Sequence, residues 1–254
     1  MSSRTTWLVD LGNTRLKWAR ADALGSGAVQ SLAHAEAAGT DAQDTGFATI
    51  RPDDRAWIAS VASPALTVTV EAALRRRGAQ IARAATQAEL AGVRIAYAEP
   101  SRLGVDRFLA MLAVHARTSG ATLIASIGTA LTIDLLDADG THHGGLIAPS
   151  PTLMRESLAQ RAPHLPRDGG AVVDFASDTV DALASGAILS ARALIAHSLR
   201  AARRRLGATP GLLVAGGGAD ALLDGWRTRA ERAPDLVLEG LGVYAKSTPQ
   251  PPSP

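Results

Sequence analysis

The chain has no cysteine. Disulfide frameworks, thiolate zinc sites and cysteine nucleophiles are excluded together. No uninterrupted apolar run reaches the roughly 18–20 residues of a membrane helix. The opening MSSRTTWLVD has no apolar core of the signal-peptide kind. A cytoplasmic protein with no membrane partner is therefore expected. Lysine is scarce: only Lys17 and Lys246 occur, so 24 of the 26 basic residues are arginine. Neither lysine follows a glycine, which argues against a Walker A loop. His-Arg-Asp, G-x-S-x-G and H-E-x-x-H are missing as well, which argues against the protein-kinase, α/β-hydrolase and zincin plans.

What is present describes a globular chain. Its 254 residues are 46% hydrophobic and 20% charged, enough for one large domain or two modest ones. The formal charge is only +2. The basic runs Arg75–Arg77 and Arg203–Arg205 fall late in expected helices, where they complement the helix dipole. No nucleic-acid-binding module surrounds them, so no nucleic-acid partner is expected.

Periodicity and turn residues give an alternation of strands and helices. Strands are expected at Thr5–Asp10, Leu16–Ala19, Ala56–Val61 and Gln80–Ala84. Further strands follow at Ala121–Ile127, Leu131–Leu136, Gly145–Ala148, Gly211–Ala215 and Asp235–Leu238. Helices are expected at Pro64–Arg77, Ser101–Thr118, Pro149–Arg161, Asp178–Leu206 and Ala219–Trp226. Residues 21–55 carry no clear pattern, and Ser247–Pro254 holds four of the 13 prolines and reads as a disordered tail. WLVDLGNTRLKW and IASIGTALTIDL share one plan: an apolar strand, a glycine turn with small hydroxyl neighbours, and an alternating strand. Gly12 and Gly128 lie almost half a chain apart. The repeat predicts two similar α/β halves, 1–118 and 119–246, each opening with a hairpin; the alternative is that any two hairpins look alike.

Three glycine turns carry the candidate chemistry. Asp10-x-Gly-Asn-Thr-x-x-Lys, ending at Lys17, combines a flexible turn, hydroxyl and amide donors on Asn13 and Thr14, and a point charge. A carboxylate beside a phosphate makes sense with Mg²⁺ between them, so Asp10 reads as a metal residue. Gly128-Thr129 repeats the turn, and Gly216-Gly217-Gly218 sits between a strand and a helix. Each alone could be a plain turn; together they point to a nucleotide. Asp106, early in a helix whose dipole favours its charge, is the candidate general base. Ala110 and Ala113 follow on its face and are expected to leave room for a ligand. Arg107 could clamp a substrate carboxylate; a surface arginine is the plainer reading. His142-His143 read as loop residues that do not chelate together.

These segments, in this order and spacing, resemble the type III pantothenate kinase family over nearly the whole chain before the tail. Asp10–Lys17 (DLGNTRLK) resembles the first phosphate motif. Tyr97, Pro100 and Gly104-Val105-Asp106-Arg107 resemble the substrate motif, and Gly128-Thr129-Ala130 the second phosphate motif. Gly144–Pro149, Ser157-Leu158 through Leu165-Pro166, Asp178-Thr179 with Ser185-Gly186, and Gly216–Gly218 resemble the later family segments. The resemblance implies an actin-like, sugar-kinase-like architecture. It implies two ribonuclease-H-like α/β domains with ATP in the cleft between them, and a homodimer with pantothenate near the dimer interface. It implies ATP contacts along Asp10, Leu11, Gly12, Asn13, Thr14, Arg15, Leu16 and Lys17, at Thr129, and at Gly216, Gly217 and Gly218. It implies pantothenate contacts at Tyr97, Gly104, Val105, Asp106, Arg107 and Thr179, with Asp106 as base and Asp10 on Mg²⁺. Three positions depart from the family pattern. Ser126 stands where an aspartate usually binds a monovalent cation, K⁺ or NH₄⁺. Asp178 replaces an asparagine, and Ser150 a glycine. A regulatory accessory factor on the same fold, or a kinase of another small hydroxy acid, are the rival readings; intact Asp10 and Asp106 speak against the first.

Overall fold

The computed structural model describes residues 4–25, 27–34 and 47–248. The chain divides into two compact units, Met1–Thr118 with Asp235–Pro254, and Ser119–Pro234. The first boundary falls where the sequence repeat put it. The second half is shorter than the expected 119–246, because the chain from Asp235 onward joins the first unit. Ser247 closes a helix and Thr248 caps it; residues 249–254 of the expected tail lie outside the described residues.

The first unit is built on strands β1 (Thr6–Leu11), β2 (Arg15–Arg20), β3 (Gln30–Ala33), β4 (Arg55–Ser60) and β5 (Gln80–Arg83), in the order β3-β2-β1-β4-β5. The first three run antiparallel to one another, and β4 and β5 run parallel to β1. β1 is central and buried on both faces, which is why it reads as an almost continuous apolar run. Trp7, Val9 and Leu11 point into a core shared with Val70, Ala73 and Leu74 of helix α1 (Pro64–Arg76). Strand alternation sends Leu8 and Asp10 to the opposite face. A short ribbon, β6 (Glu89–Leu90) and β7 (Val93–Arg94), precedes helix α2 (Val105–Arg117).

The second unit repeats the plan. Its strands are β8 (Thr122–Ile127), β9 (Ala130–Leu136), β10 (His142–Pro149), β11 (Gly211–Ala215) and β12 (Glu231–Arg232), ordered β10-β9-β8-β11-β12 with the same parallel and antiparallel senses. The two hairpins are thus equivalent elements of one duplicated design. Its helices are α3 (Pro151–Arg161), α4 (Thr179–Leu206) and α5 (Ala219–Leu223). Among the described residues α4, with 28 residues, has the length and composition of a membrane span. Here it is a core helix: Ala191, Ile195 and Ala202 pack beneath the sheet, and Arg192 donates to the carbonyls of Leu222 and Asp224. The two departures at helix starts are caps. Ser150 accepts the Leu153 N–H at 3.2 Å, and Asp178 accepts the Asp181 N–H at 3.0 Å.

One expected strand is a helix. Asp235–Leu238 opens α6 (Leu236–Ser247), which packs on α2, β1 and β4 of the first unit. The Leu-Val-Leu run looks strand-like, but Leu238, Leu241 and Tyr244 recur at helical spacing and are buried. Gly240 permits the close approach, since a Cβ there would collide with the Leu109 carbonyl. Tyr244 meets Trp57 edge-on at 5.4 Å and Phe108 at 6.5 Å between ring centroids. His142 and His143 lie on β10, not in a loop. His142 is buried against Asp134 at 3.0 Å, while His143 bonds Asp137 at 2.6 Å and accepts from Arg205.

Candidate active site

In the first unit the chemistry gathers on the face of the sheet to which Leu8 and Asp10 point. Asp10 and Lys17 are directly paired across the β1–β2 ladder, so their side chains leave the sheet on the same side. The Lys17 ammonium reaches on to Asp235, with Nζ 3.1 Å from Oδ1. Burial pushes the Asp10 carboxyl up from 3.8 to about 7; the negative charges of Asp106 and Asp235 add to this, and Lys17 opposes it. The acidic side chain of the first turn therefore shares its corner with two more aspartates and one lysine.

That corner fits a hard cation. Three carboxylates exceed the charge of one ammonium, and aspartate oxygens suit Mg²⁺. Among the described residues no group of three His, Cys, Asp or Glu side chains is close enough to hold a metal alone. Mg²⁺ usually completes its shell with water and phosphate oxygens, so a single carboxylate can suffice where phosphates are bound.

The turn itself differs in detail from expectation. The Gly12 N–H donates to the Arg15 carbonyl at 3.0 Å, and the Gly12 carbonyl is held by the His34 ring at 2.8 Å. Gly128 likewise donates to Ala130 at 2.9 Å. Both glycine amides close their hairpins, which leaves the exposed Asn13, Thr14 and Thr129 for a ligand. Leu11 and Leu16 are core side chains, so only their backbone can face a nucleotide. Arg15 is exposed and donates to Ser31 on β3 at 3.0 Å.

Asp106 is the second residue of α2, closer to the helix start than the expected Ser101 origin implies, because a separate 3₁₀ turn occupies Pro100–Arg102. Gly104 is the N-cap, and the Asp106 Oδ1 accepts the Arg107 N–H at 2.9 Å. Val105 opens the helix, partly exposed. Arg107 is buried at 6% exposure and donates to the Tyr97 hydroxyl at 3.3 Å, with its guanidinium 5.8 Å from the ring centroid. It is not the surface arginine of the plainer reading. Ala110 and Ala113, expected to leave an open face, are buried. Any approach to Asp106 comes at the helix start.

In the second unit the Gly216–Gly218 turn lies against Ile127, two residues before Thr129. Gly216 has φ +87°, and a Cβ on Gly216 or Gly218 would collide with Ile127 at the end of β8. The Gly218 N–H donates to the Ile127 carbonyl at 3.1 Å. Gly217 faces open space. Ser126 is partly buried on β8, opposite Thr132 and Ala215. Thr179 is exposed at the first turn of α4. Sequence reasoning missed Asp235 and His34. Pro234-Asp235 before an apolar run is a helix-start signal that could have found the former.

The duplicated five-stranded sheet is an actin-like, sugar-kinase-like fold. Solved structures of this fold include a conserved Baf family protein from Campylobacter jejuni, with TM-score 0.59 and 17% identity over 94% of this chain and 98% of that one. MreB 5 of Spiroplasma citri bound to AMPPNP gives TM-score 0.51 and 12% identity over 97% of each chain. The model of the type III pantothenate kinase family matches residues 7–201. The type III pantothenate kinase of Xanthomonas campestris pv. campestris (strain B100) is 52% identical over 246 residues, 96% of this chain and 99% of its own. That of Xanthomonas euvesicatoria pv. vesicatoria (strain 85-10) is 51% identical over the same shares. The chain belongs to the type III pantothenate kinase family.

Proposed function

We propose that this chain transfers the γ-phosphoryl group of ATP to the primary hydroxyl of pantothenate, giving 4′-phosphopantothenate and ADP, the first step of coenzyme A synthesis. Asp106 accepts the hydroxyl proton as the oxygen–phosphorus bond forms and the bond to ADP breaks. Its place at a helix start favours its negative charge. Asp10 holds Mg²⁺, directly or through water; the ion neutralises charge on the phosphates. Lys17 and the turn of Gly12, Asn13 and Thr14 take phosphate oxygens. In the second unit Thr129 and Gly216–Gly218 are the ATP-facing elements that family membership implies. Arg107, braced by Tyr97, places the acceptor together with Gly104 and Val105; in the second unit Thr179 is a candidate acceptor contact.

The observation that carries this reading is the convergence of Asp10, Lys17 and Asp106 in one unit of a family member. A coupled ADP-release assay over pantothenate and a panel of other small alcohols and hydroxy acids tests it. Turnover with pantothenate alone is expected; turnover with another acceptor only would refute the substrate, and no turnover at all would favour an accessory role. The same reading places the enzyme in the cytoplasm, where ATP is available, as a homodimer. Leu146, Ile147, Leu158, Val172, Val173 and Phe175 support the dimer as exposed apolar side chains of the second unit, with Phe175 at 98%. Helix α4 adds exposed Val180 to this surface, while its Ile188 and Ile195 are buried and Leu194 and Leu199 pack on the unit's own core.

A further inference from the structure

Asp235 occupies the N-cap position of α6 but makes no capping hydrogen bond. An aspartate there ordinarily accepts an amide of the first turn, a contact worth about 1 kcal/mol. Here the carboxylate turns to Lys17 instead, at 3.1 Å across 218 residues of sequence. Both side chains are mostly covered, 25% and 30% exposed, so the pair is shielded from salt better than a surface bridge. Lys17 itself stands opposite Asp10 on the ladder beside the first turn.

We propose that Asp235 is a positioning residue for the kinase reaction: its carboxylate holds the Lys17 ammonium beside the Asp10 turn, so that the lysine meets the ATP phosphates already in place. This rests on the reading of the β1–β2 turn as a phosphate site. The chemistry is direct. A free lysine side chain carries considerable rotamer entropy, much of which is lost when it closes on a phosphate. A fixed partner removes that loss before the nucleotide arrives. An ammonium has three donors, so a bond to Asp235 is compatible with contact to phosphate oxygens. The other assignment of Asp235, a plain helix cap, is excluded by the missing cap bond. The electrostatic influence of Asp235 on Asp10 agrees with its place in the same corner.

The test is the affinity of the full-length protein for Mg-AMPPNP, measured by equilibrium titration, which needs no acceptor. Asp235→Asn is expected to weaken binding about 5- to 10-fold and to raise the KM for ATP in proportion, with kcat changed less than about 3-fold. Asp235→Glu is expected to recover part of the affinity. In a Lys17→Ala background, Asp235→Asn is expected to have no further effect, which a purely structural role would not produce. Unaltered or tighter nucleotide binding in Asp235→Asn, or full additivity with Lys17→Ala, would overturn the proposal. Should Asp235→Asn unfold, Asp235→Glu and the double-variant comparison at reduced temperature decide instead. The same shifts in a parent inactive on pantothenate would still support the role of Asp235, while refuting the acceptor.

Discussion

Asp106 folds back over Gly104. A Cβ built on Gly104 would stand 2.6 Å from the Asp106 Oδ1 and meet no other atom more closely. Gly104 has φ −53° and ψ 135°, a conformation open to any residue. The glycine is therefore needed for the carboxylate and not for the backbone. Gly104→Ala should fold with a melting temperature near that of the parent and lose turnover, as the displaced carboxylate leaves its position. A drop of about 10-fold or more in kcat, with nucleotide affinity kept, is the expected result. Normal kcat would show that Asp106 is free to act from another rotamer.

Asp106→Asn tests the base itself. The amide keeps the shape and cannot accept the proton. General-base catalysis contributes roughly 10²–10⁴-fold, so turnover should fall at least ~100-fold while Mg-AMPPNP still binds. A variant with near-normal turnover would remove Asp106 from the chemistry.

Asp10 makes a prediction in pH. Its folded pKa of about 7 lies above its ordinary 3.8, so the folded protein binds an extra proton between those values. Stability of the metal-free protein should then fall as pH rises from about 4 to 7 through this group, and level off above. Asp10→Asn removes the penalty. Relative to the parent it should melt higher, by a margin that grows over that window, and it should lose activity. Mg²⁺ displaces the same proton, so the Mg²⁺ concentration needed for half-maximal rate should rise below pH 7 and be flat above it. A flat Mg²⁺ requirement from pH 6 to 8 would contradict the assignment.

The parts legible in the sequence were those with a local cause. The repeat around Gly12 and Gly128 gave the duplicated sheets, because a hairpin is fixed by its own turn and alternation. Asp10, Lys17 and Asp106 stand out in the sequence as candidates because their residue types are unusual beside a turn or helix start. Asp235 was not, because its role depends on Lys17, 218 residues away. The burial of Ala110 and Ala113 was hidden for the same reason: helix periodicity tells which residues share a face, not what arrives to cover it.

The exposed apolar side chains predict assembly. Sedimentation at micromolar concentration should give about twice the chain mass, 26.2 kDa. Phe175→Asp, at a position 98% exposed within the chain, should shift the protein toward monomer without unfolding it. A monomeric and fully active parent would refute the dimer.

Ser126 and Asp10 hold equivalent places in the two units. Each lies two residues before the hairpin glycine, on the central strand, next to an apolar residue facing the core. In the first unit the cross-strand partner of the carboxylate is Lys17; in the second, Ser126 faces Thr132. A charged pair in one repeat is matched by two hydroxyls in the other. The family pattern has an aspartate here as the holder of a monovalent cation. A serine hydroxyl offers one dipolar oxygen and no net charge, and the attraction for a cation falls accordingly in a partly buried place. We therefore expect weak activation by K⁺ or NH₄⁺, or activation only at high concentration. A titration of KCl against NaCl at constant ionic strength and saturating Mg-ATP reads this directly. Ser126→Asp should sharpen the response to K⁺ over Na⁺. Strong, saturable activation of the parent by low K⁺ would mean that backbone carbonyls hold the ion without the carboxylate, and would leave Ser126→Asp with nothing to restore.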